Sequence, residues 1–166
     1  MYVSIKKIIK EYNLNLKGII HIGACRGEEV FSYYRNGIKK VILVEANSNL
    51  ISGLKFKRFV YNKLLNMDIE IENFAASNEI GKKIKLNIAN NTQSSSILKL
   101  GKHSDLYPEV KYIKEIDIFT DTINNIFEKK YNIDEYNFMN LDIQGAELLA
   151  LKGSDKILNH IEAIYT

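Results

Sequence analysis

Apolar positions in this chain recur with two periods that alternate along its length. From Tyr2 to Tyr12, Val3, Ile5, Ile8, Ile9 and Tyr12 fall near helical spacing, with Lys6, Lys7, Lys10 and Glu11 between them. That spacing predicts a leading amphipathic helix within residues 1–16. Gly18-Ile-Ile-His-Ile-Gly23 is a short apolar run ending on glycine, and Glu28 to Asn36 has helix-forming character and stops at Gly37. The pair reads as strand, tight turn, helix. Val41–Val44 is a second β-branched run, closed by Glu45-Ala-Asn-Ser and followed by a helical stretch from Asn49 to Leu65.

The second half is less regular. Asp68 to Ala75 alternates apolar and acidic residues, and Lys82 to Ile88 alternates after the turn signal Ser77-Asn-Glu-Ile-Gly81, so both are predicted strands. Ala89 to Val110 is polar and irregular, and a loop of that length in a compact domain is usually functional or disordered. Tyr112–Phe119 predicts a strand, and Thr120-Asp-Thr-Ile opens a helix to Lys130 with Thr120 or Asp121 as its cap. Phe138–Leu141 is a buried strand ending in Asp142. The turn Ile143-Gln-Gly145, a helix from Ala146 to Leu151, a short helix near Asp155–Leu158 and a strand over Ile161–Tyr165 complete the chain.

Strands alternating with helices imply right-handed crossovers and an α/β fold, with a mostly parallel central sheet and helices on both faces. At 166 residues the chain fits a single domain, given roughly 150 residues per domain, with the α/β core over residues 17–166. In such sheets ligands bind beyond the carboxyl ends of the strands, so chemistry is sought there.

Composition narrows the class without changing the fold. Apolar residues at 46%, charged residues at 26% and a mean hydropathy of −0.18 are ordinary globular values, which argues against disorder, collagen and coiled coil. No run has the roughly 18 to 20 apolar residues of a membrane span, and MYVSIKKIIKEYN is too interrupted by charge for a signal-peptide core. One cysteine, Cys25, forms no intramolecular disulfide, so a cytoplasmic setting is expected. A net charge of +3 with scattered lysines does not indicate nucleic acid, and the tyrosines interleaved with lysine are expected as ordinary half-buried residues. No metal is expected, because His21, His103 and His160 have no ligand spacing and Asp142 and Glu147 are the only close carboxylates.

Three strand ends carry candidate chemistry. In His21-Ile-Gly-Ala-Cys-Arg-Gly27, Gly23 permits a sharp exit and Gly27 a close helix start, leaving backbone N–H groups for a ligand. The spacing is G-x-x-x-G, which does not meet the dinucleotide fingerprint and disfavours an NAD-dependent oxidoreductase. Glu45 closes the second strand about 20 residues after that turn, where a carboxylate can accept both hydroxyls of a ribose. A solvated charge or a neighbour of a helix cap is the other reading of Glu45. At Asp142-Ile-Gln-Gly-Ala-Glu147, a carboxylate directly after a buried strand must be satisfied or open to a cleft. Glu147, in the first helical turn, also complements the helix dipole.

HIGACRG, VEANS, FAASNEIG and LDIQGAELLALKGSDKIL, with TQSSSIL, His103 and Tyr107-Pro108 between them, occur in the order in which a known family carries its motifs. From about Lys17 to its end the chain resembles the FkbM methyltransferases, Rossmann-like enzymes that use S-adenosylmethionine (SAM). The resemblance implies that Gly23, Ala24 and Gly27 face the methionine part of SAM, with His21 beside them. Glu45 and Ala46 would bind the ribose, and Ala76 and Ser77 would lie beside the adenine. Asp142 and Gln144 would stand where SAM meets the acceptor, with Glu147 supporting that loop and Ser95 and His103 facing the acceptor. Two positions depart from the usual pattern: many methyltransferases have an acidic residue at His21 and a glycine at Cys25. His21 also reads as a satisfied strand-end histidine, and Cys25 as packing in a tight turn.

The resemblance implies methylation of a hydroxyl on a sugar or other small metabolite, the acceptor class resting on the resemblance alone. Asp142 is the first candidate to take the hydroxyl proton and His103 the second. The alternative from a different class is a non-catalytic module that keeps the adenosine site and serves in interaction. The implied fold normally continues past its fifth strand, whereas the chain ends at Ile164-Tyr165-Thr166 within it. A core cut short at that edge is therefore expected, from a longer parent protein or a partner-covered edge.

Overall fold

A computed structural model of the protein describes residues 3–99, 107 and 109–166. Its central sheet is five-stranded and parallel throughout, built from β1 (Gly18–Ile22), β2 (Lys40–Val44), β3 (Asp68–Glu72), β7 (Phe138–Leu141) and β8 (Ala163–Tyr165) in the order β3-β2-β1-β7-β8. The chain runs outward through β1, β2 and β3 and then returns to the other side of β1. The strand order therefore reverses between β1 and β7, the position where open α/β sheets bind ligands.

Period-two alternation sends the three central strands, β1, β2 and β7, into two cores. Ile19, Val41, Leu43 and Phe138 face one cluster with Ile5, Tyr33 and Leu54, while Ile20, Ile22, Ile42 and Met139 face the other with Ile123 and Phe127. The helices α1 (Ile5–Tyr12), α2 (Val30–Arg35) and α3 (Ile51–Leu65) cover the first face, and α4 (Ile123–Lys130) and α5 (Glu147–Lys152) the second. Strands buried on both faces read as continuous apolar runs. Among the described residues, no helix is long and apolar enough to cross a membrane.

Four expected elements differ. The strand expected over Asp68–Ala75 is broken at Asn73, whose side-chain amide donates to the carbonyls of Glu45 (2.7 Å) and Ala46 (3.3 Å). After the break, β4 (Ala75–Ala76) leaves the central sheet and pairs with β6 (Tyr112–Asp121), which also pairs antiparallel with β5 (Lys83–Ala89). Thr120 and Asp121 therefore belong to a strand, and α4 is capped by Thr122, whose hydroxyl accepts from the Asn125 amide at 3.1 Å. The short helix expected near Asp155–Leu158 is a run of turns followed by a 3₁₀ turn at Leu158–His160. The leading helix is confined to Ile5–Tyr12, with Ser4 as N-cap and Asn13 in the left-handed region at its end.

Candidate functional site

At the carboxyl ends of β1, β2 and β7 lies a cavity of about 60 Å³, at the place where open α/β sheets bind ligands. Ile22, Val44, Phe74, Leu86, Ile97 and Ile143 make it largely apolar. Two carboxylates, Glu45 and Asp142, break that lining.

The β1 turn forms one wall. Gly23 adopts φ +85°, a region costly to any residue with a Cβ. A Cβ at Gly23 would run into the Asp142 carbonyl, so the turn after β1 and the turn after β7 can touch only because this residue is glycine. Cys25 has φ +48°, which aims its amide back across the turn to Glu45.

Glu45 is 8% exposed and held at both oxygens: Oε2 accepts from the Cys25 amide and Oε1 from the Asn47 amide, each at 2.7 Å. A carboxylate has about four lone-pair sites, so acceptor capacity remains on the side facing the cavity. Burial pushes the Glu45 carboxyl up to about 6, against the opposing pull of those backbone donors. At neutral pH Glu45 is a fixed anion in an apolar wall, suited to receive paired hydroxyl donors.

Asp142 ends β7 with its amide bonded to the Ile22 carbonyl at 2.9 Å. Its Oδ1 accepts from the Gln144 amide at 2.7 Å, and its carboxyl is held above the usual range, chiefly by burial. The two turn residues that follow Ile143 lie in the positive-φ region, Gln144 at +54° and Gly145 at +99°. Glu147 Oε1 fastens this turn by accepting from the amides of Ile143 and Gly145, each at 3.2 Å.

Asp142 also borders a second, wider cleft of about 360 Å³, which shares Gly23, Cys25 and Gln93 with the cavity. A strap over residues 89–99 lies across both. Its Ser96 pairs with Asn87 of β5 through both backbone groups (2.9 and 3.1 Å), and its Leu98 carbonyl accepts from the Tyr112 hydroxyl at 2.8 Å. The buried Ser96 hydroxyl donates to the Gln144 carbonyl at 3.0 Å, latching the strap to the Asp142 turn. Ser96→Ala is expected to cost about 1 kcal/mol, the typical net worth of one such bond, in urea denaturation followed by circular dichroism. An unchanged midpoint would mean that the latch does not hold the strap.

Of the expected site residues, the fold brings Gly23, Glu45, Ala46, Ala76, Ser95 and Asp142 to the cavity and Gln144 to the adjoining cleft. Others stand apart. His21 is 2% exposed and lines neither space; its Nδ1 lies 3.3 Å from the Tyr33 hydroxyl, which accepts from Asn140 at 2.9 Å. Burial lowers His21 to about 4, so it is neutral at physiological pH. Ala24 is packed in the core, and Gly27 packs near Leu54 under the Lys57 ammonium, which bonds its carbonyl at 2.9 Å. Ser77 faces away, with its amide bonded to the Asp121 carbonyl at 3.0 Å. Glu147 holds the turn without lining either space, and His103 lies outside the described residues.

Phe74, Gln93 and Ile143 line the cavity; each falls inside a quoted motif, but the sequence assigned none of them a role, and Cys25 contributes through its backbone. The first two sit where strands break or loops fold back, which local sequence patterns do not encode.

The family model described as the methyltransferase FkbM domain matches residues 21–165. No curated protein and no solved structure matches the chain.

Proposed function

This chain belongs to the methyltransferase FkbM family, and from that premise we propose that it methylates a hydroxyl of a sugar or other small metabolite, using SAM, in the cytoplasm. The observation that carries the reading is the pairing of two carboxylates at one strand-end cavity. Glu45 is fixed in its wall, and Asp142 sits where the cavity meets a wider, polar cleft. The donor set fits SAM: Glu45 retains acceptor capacity for the ribose hydroxyls, and Phe74, Ala76 and Leu86 offer an apolar slot for the adenine. Gly23 and Cys25 would border the methionine part.

SAM, held by Glu45 and the apolar slot, would supply a methyl group already activated on a sulfonium sulfur for transfer to the acceptor oxygen. The protein's share is placement and removal of one proton. Asp142 is positioned to take the hydroxyl proton, and Gln144 orients its carboxylate through Oδ1. Gln93, Ser95, Ser96 and Ile97 of the strap border the cavity and would help to keep water from a bound cofactor. The single cysteine agrees with a reducing cytoplasm.

Calorimetry with S-adenosylhomocysteine tests the cofactor first. Wild type is expected to bind, and Glu45→Ala to bind about 100-fold more weakly, as the loss of two charge-assisted hydrogen bonds implies. The carboxylate must be ionised to serve as acceptor. Affinity should hold steady above the Glu45 pKa of about 6 and fall by up to roughly tenfold per pH unit below it. Absence of binding by wild type at pH 7.5 would end the reading. Binding without methyl release to any acceptor would make the chain an adenosyl-binding module.

A further inference from the structure

Gly27 ends the β1 turn away from the cavity, seated on α3. Its φ of +66° suits a glycine, and an added Cβ would lie 3.2 Å from Leu54 Cδ2 and 3.5 Å from Lys57 Cδ. Leu54 and Lys57 stand three residues apart on α3, hence on one face of the helix. Leu54 is buried there, while Lys57 lays its stem along the glycine and carries its ammonium onto the turn. Its Nζ donates to two successive carbonyls, Arg26 at 2.8 Å and Gly27 at 2.9 Å.

The preceding residue is held by Glu45, which follows β2 and leads towards α3. Its Oε2 accepts from the Cys25 amide at 2.7 Å. The segment from β2 through α3 therefore grips three consecutive residues of the turn, with an anion on one N–H and a cation on two carbonyls. Such charge-assisted bonds are roughly twice as strong as neutral ones. The near end of the turn is fixed separately, because Gly23 and Ala24 both donate to the Val44 carbonyl, at 2.9 and 3.1 Å. Between these anchors Cys25 is held at φ +48°, a conformation that a non-glycine residue keeps only where its surroundings impose it. Removing the ammonium frees the far anchor, and the turn can then relax and draw the Cys25 amide away from Glu45.

We propose that Lys57 is a positioning residue for the cofactor: it lines neither the cavity nor the cleft, and by clamping Arg26 and Gly27 it keeps the Cys25 amide on Glu45. The carboxylate then presents its remaining acceptor sites in one fixed orientation. The proposal rests on the methyltransferase reading for the identity of the ligand, while the clamp itself can be measured without one.

The test compares the ¹⁵N-labelled full chain with Lys57→Met, which keeps the apolar stem and removes the ammonium. Without ligand, the Cys25 amide proton of the variant is expected to move upfield as its bond lengthens. The amide of Asn47, which bonds the other oxygen of Glu45 from outside the turn, should stay in place. S-adenosylhomocysteine should bind the variant about tenfold more weakly by calorimetry. The pH below which affinity falls should also lie above the wild-type value of about 6, because the Cys25 amide is one of the donors that hold the Glu45 carboxyl down against its burial. Lys57→Arg, which keeps a cation with several donors, should bind within about threefold of wild type. A lysine that only stabilised the fold would lower the urea midpoint and leave the Cys25 shift and the pH profile unmoved. An unmoved Cys25 amide, an equal shift at Asn47, an affinity for Lys57→Met within about twofold of wild type, or Lys57→Arg as weak as Lys57→Met would each overturn the proposal. Lys57→Ala, read in the same way, decides the matter if the methionine variant does not fold. The two failures are distinguishable. Wild type that binds S-adenosylhomocysteine while the Cys25 amide ignores Lys57→Met sinks the clamp alone, and wild type that does not bind sinks the methyltransferase reading while the Cys25 response still decides the clamp.

Discussion

Asp142→Asn is expected to lower methyl transfer by about 10² to 10⁴-fold, the usual worth of a positioned general base, while S-adenosylhomocysteine affinity changes by less than about threefold, as expected of a group that acts in the transition state and not in ground-state binding. Asparagine keeps the size of the side chain and the Oδ1 that accepts from Gln144. It loses only the capacity to receive a proton. The pH profile supplies an independent readout. Burial holds the Asp142 carboxyl above its ordinary range, with Glu29 and Glu147 adding to the rise and the Gln144 bond opposing it. The ionised form is the base, so wild-type turnover should rise with pH through that elevated pKa, and the profile of the Asp142→Asn variant should lack this limb. Release of S-adenosylhomocysteine, followed with any acceptor that wild type turns over, measures both. A variant within about threefold of wild type, with its acid limb intact, would remove Asp142 from proton transfer.

What the sequence reveals and what it hides follow from how local the determining contacts are. β1, β2 and β7 are legible because both their faces are buried, so Ile19, Ile20 and Ile22 must all be apolar whatever packs on them. Glu45 and Asp142 are legible because a carboxylate ending such a run has few inexpensive explanations. The break at Asn73 is not, since its amide acts on the carbonyls of Glu45 and Ala46, which are 28 and 27 residues away. His21 shows the same limit. Its partner Tyr33 comes from the next helix, and the Asn140 that bonds Tyr33 lies 107 residues beyond it. Nothing around HIGACRG says that this ring is sequestered on the α2 face of the sheet. The strap is the largest case: Ser94 to Ser96 read as irregular because their partners, Asn87, Ala89 and Gln144, lie on other segments.

Gly23→Ala is expected to cost about 3 kcal/mol or more, from two sources that other glycines in the same chain keep separate. The first is backbone conformation: φ +85° places any L-residue in a region costing roughly 1–2 kcal/mol. Gly37 carries nearly the same conformation, φ +82°, with nothing within 4 Å of an added Cβ, so Gly37→Ala should report this term alone. The second is space. At Gly153, φ is −83°, but a Cβ would run into the Ser77 carbonyl and lie 3.2 Å from Thr122 Cβ. Gly153→Ala therefore reports crowding alone. At Gly23 both apply, because the added carbon meets the Asp142 carbonyl and, at 2.9 Å, the Ile143 Cγ2. Neither neighbour can yield cheaply: Gly23 N is bonded to the Val44 carbonyl and Asp142 N to the Ile22 carbonyl, each at 2.9 Å. Relief requires parting the β1 turn from the β7 turn, which between them carry Gly23, Cys25 and Asp142 to the cavity. Urea denaturation of the three variants should rank Gly23 as the most costly, with Gly37 near ~1 kcal/mol as the pure conformational term. Calorimetry should show loss of S-adenosylhomocysteine binding for Gly23→Ala and retention for Gly37→Ala. If Gly23→Ala is no more destabilising than Gly37→Ala, the two turns are not in contact, and the cavity between them has a different shape.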